Sequence, residues 1–546
     1  MKKIFFALLF LMCAINAIAQ DRYVVFFKDK ANSPYQLNNP SAYLTQRAIE
    51  RRVRMSISID SADIPVNASY LSGVASKGAK ILNTSRWFNS AIVQADTSQI
   101  IAVGTLNYVH SYVKMFGENL HKTIIKPKYE EVMEENGNAN RSKILGGYGG
   151  ASNQTQMLNA DLLHNAGYTG KNTVIAVIDA GFINTDTHRA FDSLRIQNKI
   201  LGTWDFSKNN AFVYDYSNHG TSVLSCIAAN VPDTMIGTAP HAKFYLLRSE
   251  EEATEYEVEE YNWASAAEYA DSVGADIINS SLGYTEFDAK SQNHTYAEMN
   301  GNTTVVSMAA KKANSKGVLV VNSAGNSGND PWYYIGAPAD VDEVFSVAAV
   351  KPDRSIAGFS SRGPTSDQRI KPDASAQGSP AYVARVSGGF GTGSGTSFAG
   401  PILAGFSACA WELYKVNHPN STPAQVKAWI KQYSDRASQP DNEYGFGIPD
   451  GSKLLLNASV DTNPSASYRI YPNPNKGTLY IKSSSGNTIL WSLEISDMLG
   501  KIIYTSTFNT IDLLMGIELP ANISRGFYIL SLSSNNDAYK QVFIRE

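Results

Sequence analysis

Five short, continuous apolar runs lie in the middle of the chain, and longer helical patterns separate them. Strands that are buried on both faces are apolar throughout, whereas half-exposed strands alternate apolar and polar residues. The pattern therefore predicts an α/β domain over residues 151–458, with a parallel sheet flanked by helices. Functional residues are expected beyond the carboxyl ends of its strands. The runs are residues 173–179, 243–247, 276–279, 317–322 and 344–350.

Two smaller units flank this domain. Residues 20–120 contain a strand-like run (23–28), a charged helical pattern (45–54) and a second strand-like run (90–95), which together predict a small α+β unit. Residues 468–546 carry short strand candidates separated by turn residues, which predict a small all-β sandwich. Residues 121–150 are polar and rich in Gly and Asn, so they predict a linker that is open to cleavage. Residues 459–467 predict a second linker.

The amino terminus has the pattern of an export signal. Lys2 and Lys3 precede an apolar run over residues 4–14, and the small-x-small sequence of residues 17–19 follows. A membrane anchor needs about 20 apolar residues, which this run does not reach. Residues 1–19 are therefore predicted to be a signal peptide that is removed on export.

Composition narrows the class of protein and its partners. The chain has 546 residues, and single cores stop growing near roughly 250 to 300 residues, so several domains are expected. The formal charge of −3 gives no basic field that would attract a phosphate backbone, so nucleic acid is not an expected partner.

Cys226 and Cys409 lie in Ala- and Ser-rich apolar runs, where we expect them to pack as buried thiols rather than to form a disulfide.

Asp179 and His219 are the first two candidates for chemistry. Asp179 ends the most hydrophobic predicted strand, where a carboxylate can hold an imidazole in one tautomer. His219 lies beside Gly220 at the start of a helical pattern, which leaves backbone that a substrate can approach. Taken singly, each residue also fits an ordinary role, since a strand-end Asp often caps a turn.

Ser397 and Asn326 are the other two candidates. Ser397 lies in a glycine-rich loop that leads into a long apolar helix, and the positive end of a helix favours the charge that develops during acyl transfer. The loop does not fit a dinucleotide-binding motif, which needs a preceding strand and a different spacing of glycines. It also does not fit the nucleophile motif G-x-S-x-G of other hydrolases, because Ala399 stands in place of the second glycine. Asn326 follows another buried strand, where its amide can donate to an oxyanion, although Gly-Asn-Ser-Gly is also an ordinary turn.

The order Asp, His, Ser along the chain is that of subtilisin, with a Gly-Asn pair between His and Ser. Over about 300 residues the sequence resembles the subtilase family in several independent motifs. These motifs are Ile178-Asp179-Ala180-Gly181-Phe182, Asn218-His219-Gly220-Thr221, Asn279-Ser280-Ser281-Leu282-Gly283, Ser323-Ala324-Gly325-Asn326 and Gly395-Thr396-Ser397-Phe398-Ala399-Gly400-Pro401.

The resemblance implies a role for each of these motifs. His219 would take the proton from Ser397 and give it to the leaving amine, while Asp179 orients His219. Asn326 would be the side-chain donor to the oxyanion. Ser281, Leu282 and Gly283 would pair with the substrate backbone as an added strand. The implied protein is a secreted serine endopeptidase that acts on proteins and peptides.

The flanking units fit the same resemblance. Residues 20–120 resemble the propeptide of exported subtilases, which acts as an intramolecular inhibitor until it is cut away. Residues 468–546 resemble the sorting domain that the type IX secretion machinery uses, with its short motifs at residues 471–474, 497–501 and 526–528 in the expected order. The resemblance thus places the mature enzyme outside the cell or on its outer surface, after export through the periplasm.

Cofactors and departures from the family pattern complete the prediction. No redox or nucleotide cofactor is expected, and no metal ligand is assigned. Family members often bind structural calcium, but no compact acidic series here resembles an EF-hand loop, so the sequence does not support it. Ala180 occupies a position where members of the family usually have Ser or Thr.

The second hypothesis is a secreted binding protein that kept the fold but lost catalysis. The presence of all four candidate residues, Asp179, His219, Asn326 and Ser397, argues against it.

Overall fold

The structure is a computed structural model that describes residues 21–116, 147–458, 468–471, 475, 477–483, 491–498, 500–508, 514–520, 523–533 and 538–545. The predicted signal peptide (1–19), most of the first linker and the second linker lie outside these residues. The domain boundaries given above therefore remain predictions. Among the described residues, no helix is both long enough and apolar enough to cross a bilayer.

The N-terminal unit is an antiparallel sheet with three helices. Its strand order is β2-β3-β1-β4. Apolar residues from one face of the sheet, among them Val25 and Val93, pack with two of the helices, Ala68–Ser76 and Thr97–Gly104, into a small core. The unit therefore has the α+β class that the sequence predicts. Its elements are β1 (Asp21–Phe27), α1 (Gln46–Arg54), α2 (Ala68–Ser76), β2 (Lys80–Ser85), β3 (Ser90–Ala95), α3 (Thr97–Gly104) and β4 (Val109–Phe116).

The first part of the central domain alternates strands with helices. Strand β5 is buried along its whole length, as its uninterrupted apolar sequence predicts. The elements are α4 (Ser152–Gln156), α5 (Ala160–Asn165), β5 (Val174–Asp179), α6 (Asp192–Ile196), β6 (Ile200–Asp205), α7 (His219–Ala228), β7 (Asn230–Val231), β8 (Met235–Ile236), β9 (Lys243–Arg248) and α8 (Val258–Ser272).

The second part completes the sheet and adds the longest helix, α10. Helix α11 begins with a capping box in which Thr422 and Gln425 each accept a backbone N–H. The elements are β10 (Ile277–Ser280), α9 (Val305–Ser315), β11 (Leu319–Ser323), β12 (Phe345–Val350), β13 (Ala374–Gln377), β14 (Ala381–Ala384), β15 (Phe390–Gly393), α10 (Thr396–Asn417), α11 (Pro423–Gln432) and α12 (Gly451–Ala458).

Seven parallel strands form the central sheet in the order β13-β12-β11-β10-β5-β9-β6. Alternate residues of each strand point to opposite faces. Val177 and Val321 face α7 and α10, whereas Ile178 and Val320 face α8 and α9. Two hydrophobic cores therefore sandwich the sheet, and the predicted α/β class is confirmed. Cys226 and Cys409 are fully buried and form no disulfide within the described residues, as expected.

The C-terminal unit consists of two antiparallel sheets, β16-β17-β20 and β19-β18-β21-β22. Residues from both sheets, such as Ile481 and Leu493, share one core. This arrangement is the all-β sandwich that the sequence predicts. Its strands are β16 (Tyr468–Tyr471), β17 (Thr478–Ser483), β18 (Trp491–Asp497), β19 (Ile502–Phe508), β20 (Leu514–Glu518), β21 (Gly526–Ser533) and β22 (Ala538–Arg545).

Candidate active site

Asp179 is the last residue of β5 and is fully buried. Its Oδ1 accepts a hydrogen bond from His219 Nδ1 at 2.7 Å and another from the backbone N–H of Ala180 at 2.8 Å. Strand β5 is held between β9 and β10, so the carboxylate sits on a rigid support. The position therefore fixes the imidazole of His219 in one orientation.

His219 is the first residue of α7 and is only 1% exposed. A ring nitrogen that faces a carboxylate carries a proton, so Nδ1 is assigned as the donor to Asp179. The next residue must be glycine, because a Cβ on Gly220 would lie 2.3 Å from the carbonyl oxygen of Gly181 and 3.0 Å from Cβ of Asp179. This close approach brings the start of α7 against the end of β5.

Ser397 is the second residue of α10 and is 5% exposed. The first N–H groups of a helix lack intrahelical partners and lie at its positive end. The carbonyl of Ser397 accepts a hydrogen bond from Ser281 Oγ at 2.9 Å, which ties the first turn of α10 to the residue after β10. The hydroxyl thus sits where a negative charge would be stabilised.

Asn326 follows β11, and its side-chain oxygen is held by the residue before Ser397. Asn326 Oδ1 accepts from the backbone N–H of Thr396 at 2.9 Å and from Thr396 Oγ1 at 2.8 Å. These contacts assign the oxygen, so the amide nitrogen Nδ2 is turned the other way. Asn326 Nδ2 and the backbone nitrogen of Ser397 both lie 3.7 Å from the position of a Cβ built on Gly395. Two N–H donors therefore border one small space.

The three predicted substrate-binding residues occupy different environments. Ser281 and Leu282 are each 3% exposed, and the Leu282 side chain packs in the core beneath α8 and α9. The Leu282 carbonyl is already used, since it accepts from Asn322 Nδ2 at 2.9 Å. Gly283 is exposed, and a Cβ there would meet only the carbonyl oxygen of Ala337 at 3.9 Å. Gly283 is thus the member whose backbone is accessible.

Sequence reasoning missed two residues that support the site. Thr396 orients the amide of Asn326, and Asn322 braces the loop after β10 through the carbonyls of Leu282 and Ser323. Both residues lie inside or next to the sequence motifs named above, so the sequence could have pointed to their positions. It could not have shown their roles, because a motif does not show which side-chain atom meets which backbone group.

An acidic cluster lies near the loop after Gly283. Glu250, Glu255 and Glu259 each place one carboxylate oxygen within 4.8 Å of the others. Tyr284 donates its hydroxyl to Glu250, and burial, followed by the charge of Glu250, raises the pKa of Tyr284 well above its ordinary value. Glu250 already accepts the Tyr284 hydroxyl, and the approach of three carboxylates does not by itself define a cation site. We therefore assign no cation to it.

Comparisons with known proteins cover all three units. A model of the subtilase family matches residues 170–447, a model of the peptidase S8 propeptide domain of Bacteroidota matches residues 22–131, and a model of a secretion system C-terminal sorting domain matches residues 469–546.

Curated relatives match the central domain. Subtilisin DY of Bacillus licheniformis is 29% identical over 296 residues, which are 53% of this chain and 93% of that protein. Subtilisin of Bacillus pumilus is 31% identical over 274 residues, 50% of this chain and 86% of that protein. Subtilisin E of Bacillus subtilis (strain 168) is 31% identical over 274 residues, and the match spans 62% of its length.

Proposed function

The chain belongs to the subtilase family, and from that premise we propose that it hydrolyses peptide bonds in proteins through an acyl-enzyme formed on Ser397. The observation that carries the proposal is the buried hydrogen bond of 2.7 Å between His219 Nδ1 and Asp179 Oδ1. A neutral imidazole held in this way presents Nε2 as a base. A binding protein has no need of such a pair.

The first half of the reaction forms the acyl-enzyme. His219 Nε2 takes the proton of Ser397 Oγ as the oxygen attacks the substrate carbonyl, and Asp179 stabilises the imidazolium. The oxyanion receives hydrogen bonds from Asn326 Nδ2 and the backbone N–H of Ser397, whose shared space supports this role. His219 then gives the proton to the leaving amine, and the peptide bond breaks.

The second half regenerates the enzyme. Water enters where the amine left, and His219 Nε2 takes its proton as the water oxygen attacks the acyl carbon. The same two donors stabilise the second oxyanion. Ser397 Oγ leaves with the proton that His219 returns to it, so no metal or cofactor takes part in any step.

Substrate would bind as an added strand beside Ser281, Leu282 and Gly283. Strand β10 ends at Ser280, and the chain then leaves the interior of the sheet. Gly283 is exposed and lacks a side chain, so an extended peptide can approach its N–H and C=O. The burial of Leu282 supports a role in shaping the cleft through its backbone rather than through direct side-chain contact.

The N-terminal unit would serve as the intramolecular inhibitor. Met115, near the end of β4, is buried against Tyr256 and Tyr261, and its carbonyl accepts from Gln292 Nε2. These contacts lead the propeptide towards the loop that follows Gly283. The C-terminal sorting domain directs export and secretion or attachment at the cell surface. We propose that the type IX machinery is its partner.

Labelling with a serine-directed phosphonate tests the proposed nucleophile. We expect the matured enzyme to take one label, mapped by mass spectrometry to Ser397, because only a serine activated by a base attacks phosphorus readily. His219→Ala should abolish the label. Ser394→Ala is the matched control, since Ser394 lies in the same loop but contacts Ser379 instead. A folded protein that takes no label, or takes it at another serine, would contradict the proposal.

A further inference from the structure

Helix α1 of the N-terminal unit lies at the edge of the central sheet opposite to the candidate residues Asp179 and Asn326. Helix α8 ends at Ser272 just before β10 begins, and α9 ends at Ser315 just before β11 begins. The carboxyl ends of these helices therefore lie at the amino-terminal edge of the parallel sheet. Asp179 is the last residue of β5 and Asn326 follows β11, so both lie at the opposite, carboxyl-terminal edge. Contacts with α1 are thus remote from the chemistry.

Arg51 and Arg52 of α1 hydrogen-bond to carbonyls in the last turn of α8 and just after the ends of α8 and α9. Arg51 donates to the carbonyls of Asp271, at 3.0 Å, and Ala275. Arg52 donates to the carbonyl of Lys316 at 2.9 Å. The last carbonyls of a helix have no intrahelical partner and carry its negative end, and a planar guanidinium can serve several of them at once.

A single buried carboxylate lies at the centre of the contact. Asp271 of α8 is fully buried and pairs with Arg51. Arg52 donates to both of its oxygens at 2.8 Å, and Arg86 donates to Oδ2 at 3.1 Å. Arg51 and Arg52 are each 1% exposed. Three guanidinium groups from the N-terminal unit therefore converge on one acid of the central domain.

The fit around this carboxylate is close on both sides. Gly274 and Gly317 end their helices with φ of +82° and +90°, and Cβ atoms on them would lie 2.8 Å from Ala48 N and from Met55 Sδ, respectively. A reverse pair adds charge complementarity, since Lys316 of the central domain contacts Asp63 of the N-terminal unit at 2.7 Å. The surface is therefore shaped for α1 as well as charged for it.

We infer that the central domain carries a guanidinium-binding site, built from Asp271 and the carbonyl ends of α8 and α9, that holds the N-terminal unit in place after the linker is cut. Its ligand is the adjacent pair Arg51 and Arg52. The site would set how long the enzyme stays latent, so this inference rests on the proposed function of the N-terminal unit as an inhibitor. Loss of the carboxylate would remove the one counter-charge that the three guanidinium groups share, and among the described residues only Arg52 would keep a second one, Asp63 of its own unit at 3.0 Å.

Hydrogen exchange on the full chain with Ser397→Ala tests the site without requiring peptidase activity. Adding Asp271→Asn should speed exchange of the backbone amides of α1 about 100-fold, because removal of one partner from a buried ion cluster is strongly destabilising. Asp342→Asn is the matched control: it removes an exposed carboxylate of the same domain and should leave α1 unchanged. The inference would be overturned if the exchange rate in α1 changed by less than about threefold, or if exchange became faster by the same factor in α1 and in β10.

If Asp271→Asn does not fold, substitutions of Arg51 and Arg52 test the same site. Arg51→Lys with Arg52→Lys keeps the charges but loses the forked geometry, and should also speed exchange in α1. Arg54→Lys on the same helix should have no effect, since Arg54 lies 3.9 Å from its nearest acid, Asp276. Equal exchange in the two lysine variants would count against the site.

Latency gives a second readout in chains that retain Ser397. After self-cleavage, dilution of the complex releases the N-terminal unit and with it activity on a small peptide. The Asp271→Asn chain should become fully active after less dilution than the wild type, because its N-terminal unit binds more weakly. Equal latency in the two chains would contradict the regulatory role. Absence of activity in every chain would instead refute the proposed protease function, while the exchange data still report on the site.

Discussion

Replacing Gly220 with alanine should impair catalysis while leaving the fold intact. A Cβ at this position would lie 2.3 Å from the carbonyl oxygen of Gly181, whereas ordinary contact begins at 3.4 Å. The first turn of α7 must therefore move by about 1 Å, and His219 moves with it. A displacement of this size in a catalytic group lowers the rate by about 100-fold, so kcat/KM should fall by roughly that factor.

The assay is cleavage of a small chromogenic peptide by matured enzyme, with thermal unfolding measured in parallel. Gly389→Ala is the matched control, because a Cβ at Gly389 would have no atom within 4 Å. The control should retain full activity. If Gly220→Ala kept wild-type kcat/KM, the contact between α7 and the end of β5 would not position His219, and the reasoning would be refuted.

Two further predictions concern the oxyanion site and the response to pH. Asn326→Asp keeps an acceptor for Thr396 but removes the amide donor, so kcat should fall by about 100-fold or more, the general size of such a loss in subtilisin, with little change in KM. Burial lowers the pKa of His164 to about 4, below its unfolded value, so stability should fall by about 3 kcal/mol as the pH drops from 7 to 4. Urea unfolding of the Ser397→Ala chain measures this loss, and His164→Gln should reduce it; equal losses in both chains would contradict the assignment.

The interior of the central sheet could be predicted from the sequence, and its edges could not. The five predicted apolar runs coincide with β5, β9, β10, β11 and β12. Strand β6 lies at one edge and is mostly half-exposed, so it lacks a continuous apolar run. Strand β13 at the other edge has the sequence Ala-Ser-Ala-Gln, which is buried but too polar and too short to stand out.

The N-terminal unit shows a similar limit. Strands β1 and β3 and helix α1 occur where the sequence predicts them. Strand β2 was missed because its pattern of half-exposed residues contains two polar positions, Asn83 and Thr84. The charged sequence of α1 is typical of a helix on the solvent-exposed surface, yet Arg51 and Arg52 are almost fully buried.

The pairing of Asp179 with His219 in the candidate site could be expected from the sequence, whereas most of the other contacts could not. Local motifs single out Asp179 and His219 although they are 40 residues apart, and the structure joins them directly. The cluster at Asp271 carries no such motif. Its partner Arg51 lies 220 residues away in another unit, and a long-range ion pair leaves no local pattern in one sequence.

The most direct test of the central claim is casein hydrolysis by the wild type beside Ser397→Ala, with mass spectrometry of both chains. The account predicts hydrolysis and self-cleavage within residues 121–150 for the wild type, and neither for the variant. Circular dichroism should show that the variant is folded. Equal hydrolysis by both chains would exclude Ser397 as the nucleophile and contradict the account.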